Sequence, residues 1–214
     1  MIKKLLPLLL LILIGCSEPE PIDSEMLVKR DGFYYKKNTN EVYSGPVFNN
    51  DGKNSKGYIK KGKLHGRMEV YHSNGQLEFE VTFNNGKRDG PSKSYYDNGQ
   101  LEQEGTYKDD KEDGPFKSYN DNGQLRSEGN YKDGELDGLL KLYHENGQLE
   151  QYGLYKDGEF HGPFKFYYEN GQLGQEITYK DGEPDGTWKY YYENGQLEKE
   201  ITYKDGEKNG PSKS

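Results

Sequence analysis

The sequence has no alanine, a single cysteine and a single tryptophan, and only 30% of its 214 residues are hydrophobic even with tyrosine counted. Globular domains carry about 45–50% apolar residues with glycine included, so a thick two-layer core is not expected. The missing alanine removes the best helix former. Basic residues are short as well, 29 against 37 acidic ones, for a formal charge of −8. An acidic surface repels phosphate backbones and releases no counterions, which argues against nucleic acid as a partner and equally against anionic lipid headgroups. One thiol cannot form an internal disulfide. Long apolar runs are absent but for Leu5 to Ile14, ten residues interrupted by Pro7. A membrane-spanning helix needs about 20.

What is present is turn-rich and aromatic: 28 glycines and 20 tyrosines among many asparagines and aspartates. Glycine, Asn and Asp favour hairpins and tyrosine favours strands, so the expected class is all-β. Disorder is the competing reading of the low hydrophobicity, and the 14% aromatic content argues against it.

Lys3 and Lys4 precede the apolar run, which ends in Leu13-Ile14-Gly15-Cys16 and then turns polar. Ten apolar residues suit a signal-peptide core. The stretch resembles a bacterial lipoprotein signal, and the resemblance implies cleavage before Cys16 and lipidation of its thiol. Two or more acyl chains would make that anchor stable, at about 0.8 kcal/mol per buried methylene. Loss of residues 1–15 removes Lys3 and Lys4 and takes the charge from −8 to −10. An ordinary secretory leader with a leftover cysteine is the alternative. Ser17 after the cysteine implies, by the same resemblance, the outer membrane of a Gram-negative cell envelope. Ser17-Glu18-Pro19-Glu20-Pro21 reads as a stiff, solvated tether. The expected division is a signal peptide (1–15), a lipidated cysteine and tether (16–24), a degenerate N-terminal β region (25–66) and six repeats ending in a partial seventh (67–214).

The repeat dominates the sequence. Asn-Gly-Gln-Leu begins at Asn74, Asn98, Asn122, Asn146, Asn170 and Asn194, always 24 residues apart. Between these lie Asn85-Gly86, Asp109-Asp110, Asp133-Gly134, Asp157-Gly158, Asp181-Gly182 and Asp205-Gly206. Asn-Gly and Asp-Gly between aromatic and aliphatic residues signal two-residue hairpins with φ > 0 at both turn positions. Asp110 stands once for the glycine, where strain but not loss of the turn is expected. The spacing predicts an elongated antiparallel β-meander of stacked two-stranded hairpins.

Two-residue turns at Asn194-Gly195 would pair Tyr192 with Leu197, Tyr190 with Lys199 and Trp188 with Ile201. One face then carries Trp188, Tyr190, Tyr192, Leu197, Ile201 and Tyr203 as a packing face. The other sets Lys189 against Glu200, Lys165 against Glu176, Lys117 against Glu128 and Lys93 against Glu104. A one-residue slip would break all four pairs and turn the aromatics outward. Glu69 against Glu80 is the exception in this register.

Tyr191-Tyr192-Glu193-Asn194-Gly195-Gln196-Leu197, followed by Tyr203-Lys204-Asp205-Gly206 and Asn209-Gly210, resembles the MORN-repeat variants of bacteria, including those called YwqK-like antitoxins. The resemblance runs from Gly66 to Ser214 and more weakly back to about Glu41. It implies the stacked-hairpin sheet and says little of function, because such families are held together by turns and packing residues. Gly210-Pro211-Ser212-Lys213-Ser214 repeats Gly90-Pro91-Ser92-Lys93-Ser94 and stops in mid-strand, so either the gene is truncated or an open edge meets another chain.

Candidate chemistry is sparse. His72 and His144 occupy a position held elsewhere by Tyr96, Asn120, Tyr168 and Tyr192, three repeats apart or about 29 Å at ~4.8 Å per strand. His65 and His161 replace the aspartate before a glycine. No catalytic or metal site and no cofactor is expected from them. Glutamate pairs such as Glu102 and Glu104 read as a solvated charged face, and the Asp-Gly-Glu turns lack the pattern of calcium-binding solenoids. The one column that invites a binding role is Tyr71, Tyr95, Tyr119, Tyr143, Tyr167 and Tyr191, placed among the charges about 10 Å apart. Aromatic faces bind sugars or extended chains without demanding sequence, and equally they cover a thin sheet. The expected function is a non-enzymatic, lipid-anchored envelope protein presenting a β-surface to a protein or polysaccharide, with edge-to-edge self-association open to it. An antitoxin-like or immunity role against a partner toxin is the alternative.

Overall fold

The structure, a computed structural model, describes residues 19–49 and 54–210. The leader, Cys16, Ser17 and the last four residues of the final Gly-Pro-Ser-Lys-Ser motif lie outside them. Nearly everything described is strand, and the only helical element among the described residues is a 3-10 turn at Ser24–Met26. Its first turn is capped by Asp23, whose carboxylate accepts from the Glu25 N–H at 2.8 Å.

One long antiparallel meander runs from Gly45–Asn49 through each successive strand to Leu197–Lys204, every strand pairing with the one before it. Ile22–Asp23 adds to its first edge in parallel with Val47 and Phe48, so the sheet begins inside the segment read as tether. Leu27–Arg30 and Phe33–Lys36 form a separate hairpin. This hairpin packs on the sheet's beginning and encloses the deepest core, in which Leu27, Tyr43 and Ile59 are buried against Ile22, Tyr34, Val47 and Leu64.

The two turns of each repeat differ. At Asn85-Gly86, Asp133-Gly134, Asp157-Gly158, Asp181-Gly182 and Asp205-Gly206 both residues have positive φ, as the two-residue turn requires. Asp109-Asp110 keeps the same geometry at φ 51° and 72°. The Asp110 carboxylate offsets its strain by accepting the Arg88 N–H at 2.8 Å. At Asn194-Gly195 only the glycine is left-handed, φ 79°, and the register expected there is corrected by one residue. Tyr191, not Tyr192, faces Leu197, across a bulge. The reason is the asparagine side chain: its Oδ1 accepts the Gln196 N–H at 2.9 Å, which holds Asn194 in a right-handed turn and leaves the bulge conformation to Gly195. Tyr192 thereby leaves the ladder and caps the turn. Beyond the bulge the expected register returns, with Tyr190 opposite Lys199 and Trp188 opposite Ile201.

The aromatic face covers itself. Phe116 is buried between Tyr107 and Tyr131, ring centroids 5.5 and 5.2 Å away, and a Cβ on Gly105 would collide with its ring. Further along, Tyr155, Phe160, Tyr179, Trp188 and Tyr203 form an unbroken run with centroid separations of 4.5 to 5.7 Å. Ring-on-ring contact between neighbouring strands thus replaces the second layer that the composition could not supply.

Copies are also clamped at both ends. Asn74, Asn98, Asn146 and Asn170 each donate their side-chain amide to a carbonyl 23 residues on, at 2.7 to 3.0 Å. At the opposite end Gly86, Gly134, Gly158, Gly182 and Gly206 donate their N–H to the carbonyl 22 residues back.

Candidate functional site

The face opposite the rings carries three parallel rows. The central row follows cross-strand pairing. It starts at Lys56, Glu69, Glu80 and Lys93, continues through Glu104, Lys117, Glu128, Lys141, Tyr152 and Lys165, and ends at Glu176, Lys189 and Glu200. The four expected Lys–Glu pairs are all cross-strand partners. Three of them close as ion pairs, Lys93–Glu104 at 3.2 Å, Lys117–Glu128 at 3.9 Å and Lys165–Glu176 at 3.0 Å. The row is longer than hairpin arithmetic foretold, because Lys93, Lys117, Lys141 and Lys189 also face the glutamate of the previous hairpin, as Lys141 does Glu128 at 2.8 Å.

Glu69 does stand opposite Glu80, and the structure supplies the missing cation. Arg67, two residues back on the same strand and hence on the same face, bridges Glu69 at 2.9 Å and also pairs with Glu80. A period-two reading of that strand would have found it.

The tyrosine column forms the second row, beside the charges. Tyr95, Tyr119 and Tyr143 donate their hydroxyls to Glu80, Glu104 and Glu128 at 3.3, 3.0 and 2.9 Å. Tyr71 donates to Glu69 on its own strand at 2.5 Å. Among the described residues the Tyr167 and Tyr191 hydroxyls find no such acceptor. Partial burial first, and the glutamate next to it, push the hydroxyls of Tyr95, Tyr119 and Tyr143 above the ordinary tyrosine value. Hydrogen bonds from Lys141 and Tyr143 hold Glu128 below the ordinary glutamate value, and the bond to Glu128 raises Lys141. At neutral pH Glu128 and Lys141 are therefore full charges, and Tyr95, Tyr119 and Tyr143 neutral phenols beside the charged row.

The third row pairs Pro91 with Thr106, Pro115 with Asn130, Leu139 with Leu154 and Pro163 with Thr178. Shallow troughs run between it and the charges, one bounded by Lys93, Glu104, Pro115 and Lys117, the next by Lys117, Glu128, Leu139 and Lys141. They are open to solvent along their length, unlike the enclosed sites of most enzymes.

The histidines sit at structural positions. His72 and His144 place Nε2 at 2.8 and 2.9 Å from the carbonyls of Tyr95 and Tyr167, the same contact that the Tyr96 and Tyr168 hydroxyls make with Tyr119 and Tyr191. A carbonyl only accepts, so Nε2 carries the proton. His65 and His161 lie where the chain bends before a positive-φ glycine, each with its Nδ1 enclosed and unbonded; His161 Nδ1 stands 3.5 Å from Asp181. No three His, Cys, Asp or Glu side chains gather closely enough among the described residues to hold a metal ion.

No curated protein matches the chain. The profile described as the MORN repeat variant matches six stretches, residues 64–85, 88–109, 112–133, 136–157, 160–181 and 184–205. Each runs from one two-residue turn to the next, so the matched unit is strand, Asn-Gly turn, strand. Together they span more than half of the sequence, and the chain belongs to the MORN repeat variant family.

Proposed function

We propose that this chain is a non-enzymatic, lipid-anchored repeat protein of the bacterial cell envelope, whose long sheet offers its tyrosine-bearing face to a protein or polysaccharide. The reading rests on one observation above the rest. Six tyrosines at a constant spacing stand on the exposed side of a single-layer sheet, and four are held by hydroxyl bonds to glutamates. Rigid phenol rings give contact area at low entropic cost. Their fixed spacing suits a long, extended partner. Repeats of this family generally serve in contacts with membranes or proteins, which fits. The lipid anchor draws on the leader sequence and Cys16; with five residues between Cys16 and Ile22, the sheet would start within about 20 Å of its attachment.

The test uses the full chain in its own cells, with a photoreactive tyrosine analogue at position 119 or 143 on the charged face, or at 155 among the rings. A defined adduct from 119 and 143 with none from 155 is expected, together with palmitate labelling that Cys16→Ser abolishes. Equal adducts from both faces, or none, overturn the binding surface; labelling that survives Cys16→Ser overturns the anchor.

A further inference from the structure

A surface multiplied six-fold singles out no copy unless some copy breaks the pattern, and one does. The central row carries Glu80, Glu104, Glu128, Glu176 and Glu200 at one repeat position, but Tyr152 in the fourth copy. Within the six copies the other lysines of the row stand between two carboxylates: Lys93 pairs with Glu80 and Glu104, Lys117 with Glu104 and Glu128, Lys189 with Glu176 and Glu200. Lys141 and Lys165 instead flank Tyr152 from either side, and each keeps only its outer glutamate. One negative charge is missing from the middle of the row.

Two further departures fall at the same place. Leu139 and Leu154 face each other directly in the third row, where other copies have proline, arginine, threonine or asparagine. In the tyrosine row, Tyr167 is the residue whose equivalents bond to the glutamate that Tyr152 replaces, and its hydroxyl is left without that acceptor. Positions 139, 152, 154 and 167 are scattered in sequence; pairing across three strands brings them together. The result is a half-buried apolar and phenolic patch with an ammonium on each side, set in a row otherwise neutralised pair by pair.

We infer that this patch is the specific docking point of the surface, and that its occupant is an extended acidic segment of a partner protein. This rests on the scaffold reading above and names the partner's chemistry. A Glu or Asp side chain of the segment lies over Tyr152 between Lys141 and Lys165 and accepts from the phenols of Tyr152 and Tyr167. An aliphatic side chain two residues away lies on Leu139 and Leu154. The spacing is set by the sheet itself: Tyr152 and Leu154 are two residues apart on a strand, about 6.8 Å, and residues i and i+2 of an extended segment point the same way at the same interval. The charge argument favours a short acidic segment over a membrane, because a chain of net charge −8 repels a layer of anionic headgroups as a whole, whereas at this point of the row a single carboxylate is missing between two lysines. The Leu–Leu pair favours protein over acidic polysaccharide, which has no aliphatic group to place there.

The pattern itself supplies safe variants. Tyr152→Glu and Leu154→Thr install residues that the other copies already hold in the same fold. The probe is a synthetic acetylated Ser-Glu-Ser-Leu-Ser amide, with Glu→Gln, Glu→Lys and Leu→Ser counterparts, titrated into the isotopically labelled chain lacking residues 1–15 and followed by amide chemical shifts. Shifts confined to the Leu139, Lys141, Tyr152, Leu154, Lys165 and Tyr167 strands are expected. Affinity should fall at least tenfold with Tyr152→Glu or with the Gln peptide, and several-fold with Leu154→Thr. Shifts spread evenly over all copies, binding indifferent to Tyr152→Glu, or no binding at all overturn the inference. Preferential binding at this patch of phosphatidylglycerol vesicles or of alginate overturns it in favour of those ligands. If the photoreactive probes capture a partner in cells and Tyr152→Glu leaves capture intact, the patch is refuted and the scaffold reading stands; if the charged face captures nothing, the scaffold reading itself falls.

Discussion

The described residues up to Leu64 and the six-copy array solve the same shortage of apolar residues in opposite ways. Near the N-terminal end, residues as far apart in sequence as Ile22 and Leu64 converge on one cluster, with Ile59 only 1% exposed. Tyr43 is buried there too, its hydroxyl donating to the Pro46 carbonyl at 2.7 Å. In the array no such convergence occurs. Ring contacts run within a strand or between adjacent strands and each clamp reaches one copy along, so the array is stabilised as a sum of nearest-neighbour terms. The compact end acts as the globular cap that a linear stack needs at one terminus.

The largest effect that could break this comparison lies in the cap. Ile59→Ala removes a buried side chain from a three-dimensional cluster and should cost about 3 kcal/mol. If the array is held by its neighbours, hydrogen exchange in the variant will show residues before Leu64 losing protection while strands beyond Leu125 keep theirs. A single, uniform loss of protection along the whole chain would mean that cap and array form one cooperative unit.

Fold and candidate site were not equally legible in the sequence. The 24-residue period, the two-residue turns and the Lys–Glu register could be read directly, because each depends on backbone geometry and on side chains one strand apart. The bulge at Asn194-Gly195 could not be read from the dipeptide alone, since Asn-Gly serves both turn types and the choice is made by where the asparagine side chain bonds. Arg67 was legible in principle, two residues from Glu69, but its role depends on a carboxylate supplied by the next strand. Tyr152, Leu139 and Leu154 were visible as single departures from the repeat. That they share one patch is a fact of pairing between strands, which the register fixes only once it is followed across several copies.

A smaller effect sharpens the nearest-neighbour account within the array. Asn98 makes two bonds, to the Gln100 N–H at 2.8 Å and to the Asp121 carbonyl of the next copy at 2.9 Å. Asn194 keeps the first and in place of the second has only a 3.5 Å contact with the Gln196 side chain. At about 1 kcal/mol per hydrogen bond, Asn98→Ala should cost about 2 kcal/mol and Asn194→Ala about 1 kcal/mol in urea denaturation. Equal losses would show that the inter-copy clamp contributes nothing.

The smallest effect separates the two regions by pH. The cap cluster is made of apolar residues and Tyr43, whereas the array's charged row contains glutamates held below their ordinary value. Glu128 is depressed by its bonds from Lys141 and Tyr143. At Glu104 partial burial pushes upward, and the bonds from Tyr119 and Lys93 together outweigh it. A carboxylate depressed in the folded state contributes stability that is fully present above its unfolded value and disappears as pH falls through the folded one. Acidification from the ordinary glutamate range downward should therefore loosen strands between Leu101 and Tyr143 before the cap, as exchange rates measured across that range will show. Tyr143→Phe removes one of the bonds that depress Glu128, so its stability should depend less steeply on pH there while remaining close to the parent's at the acid end. A variant as acid-sensitive as the parent would place the pH dependence outside the charged row, and the distinction between a neutral cap and a charge-stitched array would lose its electrostatic half.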